Sequence, residues 1–195
     1  SLSLSSPPSY LPKDDEHSSY FLSNDGTLLR FLRARDGNVK NAIKMIHNAY
    51  TWRKENDPPN MTCPKCNNDP LAHSVRIVGW DKQGRPVLYT CFNQANDRWD
   101  ATVNIKHLVI CLEHALTLIQ KRGGSLSNPS GKWVLVVDFN GFELRDSSPS
   151  MAVQTAKILD HYPELLGWLC FLNAPRLFSA TWVAVRRIIN EVTAN

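Results

Sequence analysis

Five sets of side chains in this 195-residue chain have the types and spacing to do chemistry. Cys63-Pro64-Lys65-Cys66 places two thiols at the spacing of a metal or redox pair. A zinc site needs two further ligands, and the nearest along the chain is His73, with no second pair beyond it. A redox pair belongs at the head of a helix near a βαβ unit, whereas this one sits in a Pro/Asn-containing linker. Cys63 and Cys66 are therefore weak metal candidates, and no metal is expected. His107 and His114 lie seven apart on one helical face beside Glu113, but no nucleophile accompanies them, so core-edge packing is the simpler reading. Asp138 ends an apolar run and is either a strand-end functional carboxylate or the cap of a turn that supports Gly141. Glu164, in Tyr162-Pro163-Glu164-Leu165-Leu166-Gly167, stands beside a hydrophobic wall as either a solvated turn residue or a functional group. Arg35 either offsets a helix dipole or holds an anion through its planar fork.

The elements that position these groups are legible as hydrophobic periods. Leu28, Leu29, Phe31 and Leu32 form an apolar stripe that starts near Asn24-Asp25-Gly26 and stops at Arg35-Asp36-Gly37-Asn38, where Gly and Asn suit a helix C-cap. Asn38 can cap a second helix carrying Val39, Ala42, Ile43, Ile46, Ala49, Tyr50 and Trp52. Arg30 and Arg33 read as solvated or paired to acidic neighbours. Val75–Trp80 and Pro86–Phe92 read as a hairpin around Asp81-Lys82-Gln83-Gly84. A helix over Ile105–Lys121, a strand over Trp133–Val137, a helix over Ser150–Tyr162, a strand over Trp168–Leu172 and a closing helix over Phe178–Ile189 follow. Strand, helix, strand, helix predicts an α/β fold: a small N-terminal helical segment, then a mixed, largely parallel sheet with crossover helices. The expected organisation is a disordered or irregular arm over 1–23, helices over 24–56, a linker over 57–73 and the sheet domain over 74–195.

Composition narrows the classes. The net charge of +4 permits weak attraction to an anionic membrane and does not point to nucleic acid. No run of 18 apolar residues is present, and the Ser/Pro-rich start lacks the pattern of a signal peptide. Five cysteines, an odd number, favour reduced thiols and a cytoplasmic setting. Gly-rich phosphate loops, a G-x-S-x-G elbow and H-E-x-x-H are all absent, which disfavours a nucleotide enzyme or an α/β hydrolase; we expect no enzyme.

Four stretches in order resemble the CRAL-TRIO lipid-transfer family, as in the yeast-type phosphatidylinositol/phosphatidylcholine transfer proteins. They are Leu28-Leu29-Arg30-Phe31-Leu32-Arg33-Ala34-Arg35 with Ala42 through Lys54; Asp81-Lys82-Gln83-Gly84-Arg85-Pro86-Val87; Val136-Val137-Asp138-Phe139-Asn140-Gly141; and Tyr162-Pro163-Glu164 through Asn173-Ala174-Pro175, then Phe178-Ser179. The resemblance spans about Asp25 to the C-terminus. It implies a non-enzymatic carrier with a bound phospholipid and no cofactor, whose acyl chains lie in an apolar pocket floored by the sheet. It assigns Arg35 to the phosphoinositide headgroup, Glu164 to the inositol and Thr193 to the phosphate. Leu88, Trp133, Leu135, Trp168, Phe171 and Trp182 are candidate pocket-lining residues, with ordinary core packing the alternative for Trp168 and Trp182.

The departures from the family pattern matter. The family lysine three residues after Thr193 would fall beyond Asn195, as would the gating helix, so the resemblance implies a C-terminally truncated domain. Trp133 and Leu135 stand where the yeast-type proteins carry Ser and Thr for phosphatidylcholine, and Leu88 replaces a tyrosine of that site. Asn190 and Glu191 replace the usual proline and aspartate before Val192-Thr193. Phosphatidylinositol or a related phospholipid, rather than phosphatidylcholine, is therefore the expected ligand, met by a monomer through transient, peripheral membrane contact. The alternatives are a regulatory or scaffolding domain that keeps the fold without transfer, and a carrier of a tocopherol- or retinal-like molecule.

Overall fold

The computed structural model of the chain describes residues 11–12, 15–22, 25–96, 99–123, 131–146 and 149–175. Three helices open it: α1 (Glu16–Leu22), α2 (Asp25–Arg33) and α3 (Val39–Asn56). The Asn38 side chain caps α3, accepting from the Asn41 amide at 3.0 Å, as the sequence predicts. Phe21, Phe31, Met45, Ile46, Ala49 and Tyr50 form a satellite core between these helices. The segment 1–23, expected as an irregular arm, thus contains α1, whose Phe21 is fully buried. Tyr20 and Phe21 are the apolar pair that makes this short helix worth docking. The linker 57–73 likewise holds structure. A short helix, α4 (Pro64–Asn68), starts with proline, and Cys63, Ala72 and His73 are buried around it.

The remainder is the expected mixed, mostly parallel sheet. Strands β1 (Arg76–Trp80), β2 (Pro86–Cys91), β3 (Trp133–Asp138) and β4 (Leu166–Leu172) lie in that spatial order; β1–β2 is antiparallel, and β2–β3 and β3–β4 are parallel. The β1–β2 turn explains the D-x-x-G-R spacing. Asp81 accepts from the Gln83 and Arg85 amides, each at 2.9 Å, and binds the Arg85 guanidinium at 2.6 Å, while Gly84 takes a left-handed φ of 76°.

Two helices make the parallel crossovers: α5 (Ala101–Lys121) between β2 and β3, and α6 (Pro149–Asp160) between β3 and β4. Successive right-handed crossovers in one direction put both helices on the same face. Leu108, Leu112, Ala115 and Ile119 of α5 accordingly pack with Leu88, Trp133, Tyr162 and Leu165, and Ile158 and Leu159 of α6 close on the same cluster. By length and composition α5 is apolar enough to cross a membrane, but its buried stripe is the core of this sheet domain. The closing helix expected over 178–189 lies outside the described residues.

Candidate functional site

The turn that carries Glu164 is held from below by the N-terminal helices. Arg30 of α2 is buried and donates to the carbonyl oxygen of Pro163 at 3.1 Å and to Thr27 Oγ1 at 3.3 Å. This corrects the reading of Arg30 as a solvated or acid-paired side chain: its partner is a backbone carbonyl 133 residues away. Arg35 reaches the other end of the same turn, with Nη2 at 3.3 Å from Asp160 Oδ1. Burial raises the pKa of Asp160, and the Arg35 charge pulls it back down. Glu164 itself is exposed, sits at a left-handed φ of 62° and faces Lys132 Nζ at 3.8 Å. The structure therefore brings Arg35 and Glu164 to one turn, Asp160–Glu164, and adds Lys132, a cation that lay outside every motif. Thr193 lies outside the described residues.

Beneath the turn, Arg53 of α3 grips Glu113 of α5 through two hydrogen bonds of 2.8 and 3.1 Å, and Tyr162 donates to the same carboxylate at 2.6 Å. Burial raises the Tyr162 pKa, with the Glu113 charge adding to it. The Arg53 guanidinium also lies over the Tyr20 ring at 3.9 Å. Next to it His161 stacks on Trp52 with ring centroids 4.4 Å apart, and burial lowers its pKa to about 4. Glu113 thus fastens the helical segment to the sheet domain, rather than pairing with His114.

The two faces of the sheet differ. Alternation along the strands puts Leu88, Leu135 and Leu169 level on the face under α5 and α6, with Phe171 one row further along the same face. Val87, Tyr89, Val134, Val136, Trp168, Cys170 and Leu172 run along the opposite face. An irregularity between Trp133 and Val134 pairs Leu166 with Trp133 but Trp168 with Val134, leaving Gly167 as the extra residue. That bulge turns Leu166 to the helix-covered core and Trp168 to the other face, where Trp168 is 62% and Leu172 41% exposed. Among the expected lining residues, Leu88 and Trp133 are closed core under α5, and Leu135 packs against that core. Phe171 lies on the same side as these, against Phe139. Trp168 alone of the five described lies on the opposite face, and Trp182 lies outside the described residues.

Asp138 is a structural knot at the end of β3. It accepts from the Asn140 amide at 3.0 Å, Asn173 Nδ2 at 2.8 Å and the Tyr89 hydroxyl at 2.7 Å. The Asn173 bond, then Tyr89 and Asn140, hold its pKa below the usual carboxylate range. Gly141 follows because a Cβ there would fall 2.5 Å from Asn93 Cβ, at a φ of 78°. The D-x-x-G pattern is a turn requirement, as the simpler sequence reading had it.

Residues 73–195 match the CRAL/TRIO domain, and residues 5–48 match the CRAL/TRIO N-terminal domain. The chain belongs to the CRAL-TRIO family. Members of this family bind lipophilic ligands and transfer them. The chain is 30% identical over 185 residues to a CRAL-TRIO domain-containing protein of Caenorhabditis elegans, covering 88% of this chain and 26% of that protein. It is 26% identical over 186 residues to the phosphatidylinositol transfer protein CSR1 of Eremothecium gossypii, covering 87% of this chain and 41% of that one. The crystal structure of Sfh5 superposes with a TM-score of 0.69 at 16% identity, over 91% of this chain and 62% of that one, and so shares the fold. The chain thus spans about a quarter of the C. elegans relative and about two fifths of CSR1.

Within this CRAL-TRIO fold, the signals that sequence reading missed are of one kind. Arg30–Pro163, Arg53–Glu113 and Lys132–Glu164 are contacts between elements. No local spacing encodes them. Only the side-chain types, arginines inside amphipathic helices near apolar positions, hinted that some were buried.

Proposed function

We propose that this chain is a lipid-binding and transfer module for phosphatidylinositol or a related phospholipid. The acyl chains lie along the face of the sheet opposite α5 and α6, with the headgroup at the Glu164 turn. The observation that carries this reading is the apolar face opposite α5 and α6, two of whose large side chains are exposed. Trp168 and Leu172 stand out on it, and the polar turn bearing Glu164, with Lys132 and Arg35 paired to its two ends, sits at the head of the same strand. Each methylene withdrawn from water there contributes about 0.8 kcal/mol, so a long acyl chain supplies the affinity and a few polar groups set orientation. Glu164 can accept from two inositol hydroxyls, while Lys132 and Arg35 are cations suited to phosphate. The left-handed backbone at Glu164 supports a role, because glycine or asparagine would sit there at lower cost. The name of the CSR1 relative, a phosphatidylinositol transfer protein, agrees with this choice of ligand. Delivery would occur by transient contact of a monomer with a membrane surface, from the cytoplasm.

A second reading, a domain that keeps the fold for regulation, draws on the pairing of Arg35 with Asp160. Transfer of labelled phosphatidylinositol between liposomes separates the two. The proposal expects transfer that Glu164→Ala and Arg35→Ala both reduce. Absence of transfer, with no phospholipid in a solvent extract of the purified protein, would support the second reading.

A further inference from the structure

Cys63, Cys66, His73 and His107 converge although they come from four places in the fold: the head of α4, its middle, the approach to β1, and α5. Their ligand atoms all lie within 4.8 Å of one another. Cys63 Sγ is 3.4 Å from His73 Nε2, and Cys66 Sγ is 3.3 Å from His107 Nδ1. In a tetrahedral zinc site with Zn–S near 2.3 Å and Zn–N near 2.05 Å, neighbouring S and N ligands stand about 3.6 Å apart. The observed separations are close to that edge length.

The far side of each imidazole is fixed as well. His73 Nδ1 lies 2.9 Å from Asn104 Oδ1, and His107 Nε2 lies 2.8 Å from the carbonyl oxygen of Val75. Both partners are oxygen acceptors, so each of these nitrogens carries the proton, the Asn104 amide being oriented with its oxygen toward the ring. That choice leaves the lone pairs of His73 Nε2 and His107 Nδ1 facing the two thiols. Orientation of this kind is what metal-bound histidines receive from their surroundings.

We propose that Cys63, Cys66, His73 and His107 form a tetrahedral structural zinc site that clamps α4 and the segment before β1 onto α5. Four protein ligands leave no open position, so the metal is structural rather than catalytic. Binding releases two protons as both thiols ionise, and two thiolates neutralise the dication, which makes the charge tolerable among buried groups. Cys63 and Cys66 lie between the two segments matched by the family, 5–48 and 73–195, so family membership neither supplies nor explains this pair. The single CxxC acquires its missing ligands from His73 and from a histidine 41 residues beyond Cys66. Cys111 is 3.5 Å from His107, but on the protonated Nε2 side, and is not a ligand.

The test is metal analysis of the intact chain purified under reducing conditions with zinc present. The proposal expects one zinc per chain after exhaustive dialysis. Replacement by Co(II) should give tetrahedral ligand-field bands with thiolate charge transfer. X-ray absorption on the unmutated zinc protein should show two sulfur and two nitrogen neighbours, a readout that needs no variant to fold. Cys66→Ser and His107→Ala should lose the metal, while Cys111→Ser keeps it. Any one of three results would overturn the proposal: no zinc or Co(II) uptake by the reduced protein, a coordination shell of oxygen and nitrogen alone, or zinc retained at full stoichiometry by both ligand variants.

Discussion

Arg30, 1% exposed, donates from Nη1 to the carbonyl oxygen of Pro163 at 3.1 Å and so joins the N-terminal helices to the turn that presents Glu164. A buried guanidinium bound to a backbone carbonyl is a positioning device. It takes the place of water on the Pro163 oxygen and ties down the turn after α6.

Removing that bond should therefore cost stability. A hydrogen bond to a charged group contributes roughly 1.5–3 kcal/mol. Arg30→Met should lower the unfolding free energy by about that much in urea titrations. A change near zero would mean that Arg30 is not held as described.

The Arg53–Glu113 pair makes a sharper case. Arg53→Met leaves the half-buried Glu113 carboxylate with Tyr162 as its remaining side-chain partner among the described residues, and the loss should approach the roughly 3–5 kcal/mol that breaking a fully buried pair costs. The double variant Arg53→Met/Glu113→Leu should recover much of the loss. A double-mutant cycle in denaturant with no coupling would contradict the role given to Glu113.

The His161 imidazole supplies a pH signature. Its folded pKa of about 4 lies below the unfolded value near 6.5, so the unfolded chain takes up the proton first. Stability tied to the neutral ring is fully present above pH ~6.5 and is lost as pH falls toward 4, with a slope of at most about 1.4 kcal/mol per pH unit. His161→Phe keeps an aromatic against Trp52 and should flatten the melting temperature between these pH values. Identical profiles for the two proteins would sink the assignment.

Glu164 offers a separation of stability from function. Glycine relieves a left-handed backbone by up to about 1 kcal/mol. Glu164→Gly should leave thermal stability equal or slightly higher while weakening phosphatidylinositol binding in a vesicle assay. A variant with unchanged binding would reduce Glu164 to an ordinary turn residue.

How far the sequence carried this reading follows from the range of each interaction. The Asn38 cap and the Asp81–Gly84–Arg85 turn are set within a few residues and are legible, while the helix expected to run to Tyr162 ends two residues earlier, at Asp160. The helix expected from Ile105 starts at Ala101: Ala101–Asn104 carries little apolar stripe, and its start is marked instead by Asp100, which caps it at the Val103 amide. The face assignment of Leu88 and Trp133 escaped because strand alternation tells which residues share a side, not which side the crossover helices take. Trp168 escaped the same way, since a one-residue bulge at Gly167 reverses the alternation. His107 looked like a neighbour of His114; only the path of the chain from α4 back to α5 shows it facing Cys66.

The central claim is that acyl chains lie on the face bearing Trp168. Phosphatidylinositol with brominated acyl chains reports on it directly, because bromine quenches a tryptophan within contact distance. Titrated into the protein, it should quench a fraction of the tryptophan fluorescence that Trp168→Phe removes, while a non-brominated control quenches neither protein. Equal quenching of the two proteins, or none in either, would contradict the account.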